Sequence, residues 1–109
     1  MKHILFELEG CPFSTLDDEE HIKFCLLHAS EVSHSKVLKI ETHKFEPQGV
    51  TGFALLAESH LSIHTWPEKG VAVCDIFTCG DSCQPELAVE YLSEWLESTN
   101  TKSKCYERI

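Results

Sequence analysis

Apolar and polar residues alternate from Lys2 to Glu9, which sets Ile4, Phe6 and Leu8 on one face of an extended segment and Leu5 and Glu7 on the other. Gly10, Cys11 and Pro12 punctuate its end. The period then lengthens. From Asp17 to Ser33, Ile22, Cys25, Leu26, Ala29 and Val32 recur at helical spacing, Thr15 with Asp18 offers a capping signal, and Asp17 to Glu20 lie at the positive end of the helix dipole. Four strand-like pieces follow, at residues 36–45, 50–59, 60–66 and 71–79. Pro47-Gln48-Gly49 turns the chain after the first of them, and Pro67-Glu68-Lys69-Gly70 separates the last two. Connections this short join antiparallel neighbours. A second helix is predicted after Asp81 or Ser82, with Pro85 in its first turn and Leu87, Ala88, Tyr91, Leu92, Trp95 and Leu96 as its buried stripe. The tail from Ser98 onward is polar and predicts a loosely held end.

The pattern therefore predicts an α+β domain in the order β-α-β-β-β-β-α, an antiparallel sheet with two helices packed on one face. The other sheet face is left to water or to a second subunit.

Composition narrows this picture. A length of 109 residues suits one domain with one core. The longest apolar run, Phe53 to Ala57, is too short to span a membrane, and charge enters the N-terminal stretch too early for an export signal, so a cytoplasmic protein with no membrane contact is expected. A net charge of −9, with only nine Lys and Arg residues, argues against nucleic acid as a partner and suits a cationic small molecule. Six cysteines in a chain without an export signal read as free thiols, core fillers, ligands or catalytic groups rather than as a disulfide framework.

The candidate chemistry centres on "ESHLSIHTWPE". Alternation puts Leu61, Ile63 and Thr65 on one face and His60, Ser62, His64 and Trp66 on the other, so two imidazoles share a face just behind Ser59. Cys74, Cys79 and Cys83 with His60 and His64 are ligand types that zinc prefers. However, the spacing lacks a Cys-x2-Cys knuckle and sets Cys74 and Cys79 on opposite strand faces, so no metal is assigned. Cys79 beside His60 or His64 would form a thiolate pair. Taken singly, each histidine reads as a hydrogen-bonded structural residue and Cys79 as a small buried hydrophobe.

Taken together, these residues point further. Ser59, His64 and Cys79 within "ESHLSIHTWPEKGVAVCDIFTCG", with His3, Glu7, the segment "HKFEPQGVTG" and "AVEYL" in the last helix, closely resemble the short bacterial and archaeal S-adenosylmethionine decarboxylases. The resemblance implies that the chain cuts itself between Glu58 and Ser59, giving residues 1–58 (β chain) and 59–109 (α chain). The Ser59 hydroxyl attacks the Glu58 carbonyl and turns the amide into an ester. Removal of the Ser59 α-proton then expels the Glu58 carboxylate, and loss of ammonia leaves a pyruvoyl group at the new N-terminus. A tight turn at Glu58-Ser59 would be a place to hold strain for this step.

By the same resemblance, His64 transfers a proton during processing and Thr51 supports the intermediate. The pyruvoyl group forms a Schiff base with the substrate amine and serves as electron sink, and Cys79 is the proton donor in catalysis. Phe45 stacks on adenine and Glu68 holds the ribose hydroxyls of S-adenosylmethionine. The product would be the aminopropyl donor for spermidine, made by a homodimer with active sites between subunits. Lys69 and Val71 depart from the family pattern, which carries aromatic residues there. Three other readings stay open: the same pyruvoyl chemistry on L-arginine or L-ornithine, which lack the adenosine that Phe45 and Glu68 would meet; a non-catalytic partner subunit, which has no use for Ser59, His64 and Cys79; and a metal-binding module, which metal analysis of the native protein would test.

Overall fold

The computed structural model describes residues 1–109 throughout. In chain order the elements are β1 (Lys2–Glu9), α1 (Phe13–Leu16), α2 (Glu19–Val32), β2 (Val37–Lys44), β3 (Val50–Leu56), β4 (Ser59–Trp66), a 3-10 turn (Pro67–Lys69), β5 (Val71–Thr78), α3 (Pro85–Trp95) and β6 (Asn100–Glu107). The strands form one six-stranded sheet in the order β2-β3-β4-β5-β1-β6, with every neighbouring pair antiparallel. No helix is long and apolar enough to cross a membrane.

Alternation decides which face the helices cover. Ile4, Phe6 and Leu8 of β1, Leu61 and Ile63 of β4, and Ala72, Cys74 and Ile76 of β5 are buried, and they join Ile22, Cys25, Leu26 and Ala29 of α2 and Ala88 and Leu92 of α3 in a single core. Their period-2 partners, among them Leu5, Phe53, Leu55, Trp66 and Val73, lie on the opposite, open face and are exposed. Gly52 shows how close α2 comes: a Cβ there would lie 2.9 Å from Leu26 Cδ1, which explains a glycine inside β3.

Four sequence expectations need correction. The cap of α2 is Asp18 itself, whose carboxylate accepts from the His21 N–H at 3.1 Å, while Thr15 sits in α1 and donates to Glu97 at 3.0 Å. Neither Asp81 nor Ser82 caps α3. Gln84 precedes the helix without a side-chain cap bond, and Pro85 in the first turn removes one N–H that would have no partner within the helix. Val32 and Trp95, assigned to buried stripes, are 39% and 44% exposed, each at the last turn of its helix.

The largest correction concerns the tail. Residues 100–107 are not loosely held: they form β6 and pair with β1 along its whole length, from Lys2↔Glu107 to Glu9↔Asn100. Every side chain of β6 is exposed. The pairing rests on backbone hydrogen bonds, so it leaves no apolar alternation in the sequence to read.

Candidate active site

The two-residue turn Ala57-Glu58 joins β3 to β4 and is pinned to the start of β2. Ala57 N–H donates to the Lys36 carbonyl at 2.9 Å, and Lys36 N–H donates to Glu58 Oε1 at 3.3 Å. Cys79, the first residue after β5, donates its thiol hydrogen to the Glu58 carbonyl oxygen at 2.8 Å. Ser59 opens β4, half-buried, with Oγ 3.3 Å from His60 Nδ1. The other nitrogen of that ring, Nε2, donates to Asp75 Oδ2 at 2.8 Å. His3 Nε2 reaches the same oxygen at 2.8 Å, and the Ser62 hydroxyl donates to Asp75 Oδ1. Burial alone would raise the Asp75 pKa, but the bonds from Ser62, His3 and His60 outweigh it and hold the carboxyl below its ordinary value. Left-handed φ occurs at His34, Glu97 and Ile109 among non-glycine residues and not at Glu58 or Ser59. The expected strain at the turn is therefore absent from its φ angles, and hydrogen bonding is what sets the geometry there.

His64 belongs to the other end of β4. It pairs in register with Thr51, and its Nδ1 is 3.1 Å from Thr51 Oγ1. Next to Thr51 across the sheet is His43, whose ring stands edge-on to Phe45 at 4.5 Å. Phe45 starts the β2–β3 loop, which is closed by its N–H donating to the Gly49 carbonyl at 2.8 Å and anchored by Gly49 N–H donating to Asp17 Oδ1 at 2.8 Å. That backbone bond, aided by Lys44 at 3.1 Å, holds the Asp17 carboxyl below its usual range. Glu68 lies exposed in the turn after β4, which Gly70 ends in the left-handed conformation at φ 66°. Five residues of extended chain separate Ser59 from His64, a distance of about 16 Å. A groove of about 670 Å³ on the open face includes His64, Ser62, Asp75 and Glu7 in its lining, but not Phe45, Glu68 or Cys79. A single chain thus brings together Glu58, Ser59 and Cys79 at one end, sets Thr51, His64 and Phe45 toward the other, and does not unite the two sets.

A family model described as S-adenosylmethionine decarboxylase matches residues 2–109. The chain belongs to the S-adenosylmethionine decarboxylase family. It is 49% identical over 107 residues to an S-adenosylmethionine decarboxylase proenzyme of Prochlorococcus marinus strain MIT 9313, covering 98% of this chain and 86% of the relative. It is 46% identical over 101 residues to a proenzyme of the same description from Methanococcus maripaludis, covering 93% and 83%. The crystal structure of the adenosylmethionine decarboxylase from Aquifex aeolicus superposes with a TM-score of 0.91 at 36% identity, covering 98% of this chain and 88% of that one.

In this S-adenosylmethionine decarboxylase fold the cysteines do not converge into a metal site. Cys74 faces the core, Cys79 bonds to Glu58, and Cys83 sits 3.8 Å from Ser35 Oγ and 3.7 Å from the His34 carbonyl. Burial pushes the Cys11 thiol up to about 11, the Cys25 thiol to about 12, and the Cys74 thiol well above its ordinary value, so these three are inert packing residues. The Asp75 cluster escaped the sequence reading, although a lone carboxylate inside the otherwise apolar "VAVCDIFT" was its signal. In the sequence Asp17 is only a charge at a helix end, and nothing local marks it as the anchor of the Phe45 loop.

Proposed function

We propose that this chain is a self-processing decarboxylase of S-adenosylmethionine, cut between Glu58 and Ser59 into residues 1–58 and 59–109, with Ser59 as the precursor of a pyruvoyl group. The observation that carries this reading is the Cys79 thiol on the Glu58 carbonyl oxygen at 2.8 Å, beside a half-buried Ser59 hydroxyl. A hydrogen-bond donor on that oxygen polarises the carbonyl that the serine must attack. Ser59 fits the precursor role because its hydroxyl faces a ring nitrogen and its carbonyl neighbour is held on a pinned turn. When formed, a pyruvoyl group supplies the carbonyl electron sink for loss of carbon dioxide.

The remaining roles fall to this chain's own side chains. Cys79 lies within reach of the pyruvoyl position and serves as proton donor to the substrate carbon during turnover. His64, held by Thr51, transfers a proton in processing. Phe45 provides a face for adenine and a cationic sulfonium, and Glu68 accepts hydrogen bonds from the ribose. His64, Thr51, Phe45 and Glu68 lie about a strand's length from Ser59 of the same chain. The site is therefore completed by a second copy, whose His64, Thr51, Phe45 and Glu68 meet the first copy's Ser59 and Cys79. An open sheet face with Leu5, Phe53, Leu55 and Val73 each 37–44% exposed supports such a homodimer.

The test is intact mass after cyanoborohydride reduction with S-adenosylmethionine, arginine and ornithine offered together. The expected result is two chains split at Ser59, with an added mass on the second that matches decarboxylated S-adenosylmethionine. A single unmodified chain would overturn the reading, and an arginine or ornithine adduct would reassign the substrate. Sedimentation equilibrium checks the dimer, and a monomer at working concentration would remove the second-copy assignment.

A further inference from the structure

Processing at Ser59 needs a base for a hydroxyl that is a weak nucleophile on its own. His64 of the same chain is about 16 Å away along the strand, and the second copy's His64, which the proposed dimer brings to Ser59, serves the later elimination. Cys79 is committed as donor to the Glu58 carbonyl. The only side-chain partner of Ser59 Oγ is His60 Nδ1, at 3.3 Å.

The state of that nitrogen is fixed by its surroundings. Asp75 is a carboxylate and can only accept, so His60 Nε2 carries the proton shared at 2.8 Å, and in the neutral ring Nδ1 presents a lone pair to the serine. His3 is locked in the same sense. Arg108, just beyond β6, donates to His3 Nδ1 at 2.9 Å, so the His3 proton also sits on Nε2 and points at Asp75 Oδ2. Both rings are held in one tautomer around one carboxylate, and the serine, imidazole and carboxylate stand in the order of a nucleophile, its base and the group that orients the base.

We infer that His60 is the general base of the first processing step, with Asp75, His3 and Arg108 as positioning residues behind it. The inference rests on the proposed cleavage at Glu58-Ser59. The Ser59 proton moves to His60 Nδ1 as Oγ bonds to the Glu58 carbonyl carbon, whose oxygen is held by the Cys79 thiol. The carbon–nitrogen bond then breaks, the Ser59 nitrogen takes the proton back from His60, and an ester with a free amine results. No proton is gained or lost. The later elimination remains with His64.

The two histidines can be told apart by where processing stalls, because hydroxylamine cleaves an ester at Glu58 but not an amide. Freshly synthesised chain is followed by mass over time, with and without hydroxylamine. His60→Asn slows cleavage by about 100-fold or more, accumulates hydroxylamine-resistant full-length chain, and regains part of its rate with added imidazole. His64→Ala accumulates hydroxylamine-sensitive chain. Asp75→Asn also stalls as resistant chain and adds no further slowing to His60→Asn, whereas a merely structural role would add. A single cooperative thermal transition guards against misfolding; if His60→Asn does not fold, His60→Gln replaces it, keeping a bond toward Asp75 but offering Ser59 no base. Cleavage of the His60 variant at the wild-type rate, or its accumulation as ester, overturns the assignment. Wild-type chain that never splits at Ser59 brings down the processing reading itself, and this one with it.

Discussion

The two ends of β4 are built in opposite ways. At the Ser59 end, half-buried groups are tied to one another or to exposed neighbours: Glu58 to exposed Lys36 and Cys79, Ser59 to His60, and His60 and His3 to one oxygen of Asp75. At the His64 end, Thr51 is the only hydrogen-bond partner of the imidazole, while Phe45, Trp66 and Glu68 face solvent. The first end is preorganised within one chain, as a reaction on the chain's own backbone requires. The second presents aromatic surface and a free carboxylate, as a surface that must still receive a ligand and a neighbouring subunit does. One strand thus separates a turn preorganised within one chain from an open half-site.

That contrast can be broken most directly at Ser59. Ser59→Ala is expected to leave the chain whole and decarboxylation abolished; normal carbon dioxide release from the uncut variant would sink the scheme. Co-expression of Ser59→Ala with His64→Ala chains sharpens it, because a site shared between copies recovers measurable activity in mixed dimers and a site within one chain recovers none. Cys79→Ala comes next: cleavage continues in part, while turnover of the cleaved enzyme drops by about 100-fold with loss of its proton donor. Full turnover in that variant would remove Cys79 from catalysis. At the other end of the strand, Glu68→Ala leaves cleavage unchanged and raises the KM for S-adenosylmethionine about fivefold, the value of a hydrogen bond worth about 1 kcal/mol.

The smallest effect is read in acid. Asp75 has its folded pKa below the ordinary 3.8, so its contribution to stability is fully present above that value and disappears as pH falls through the lower folded value. Asp75→Asn should therefore flatten the acid limb of a thermal-midpoint against pH curve, and an unchanged limb would mean that the cluster is not coupled to folding.

Much of this was legible in the residues. The alternation of "HLSIHTW" placed Leu61, Ile63 and Thr65 inward and His64 outward, and burial follows that pattern residue by residue. Helical spacing marked Ile22, Cys25, Leu26 and Ala29, all buried. β6 stayed hidden because a sheet-edge strand exposed on both faces carries no apolar period, and its partner β1 lies about a hundred residues away in the chain, beyond the reach of local pattern. The Asp75 cluster stayed hidden for a related reason: His3, His60 and Asp75 come from three strands whose order, β4-β5-β1, is set by the whole sheet. That Ser59 and His64 are far apart follows from the rise of an extended chain, yet only the observed strand length removes the alternative of a bend between them.

The strand order also has a consequence for the life of the cut protein. Residues 1–58 would hold β1, β2 and β3, and residues 59–109 would hold β4, β5 and β6, but β1 lies between β5 and β6. The two fragments are interleaved, so they stay together without a peptide bond and can part only by tearing β1 from both neighbours. Assembly then becomes a one-way event. The intact chain folds as a single molecule, whereas the severed halves, once denatured, must find each other at a rate that depends on concentration.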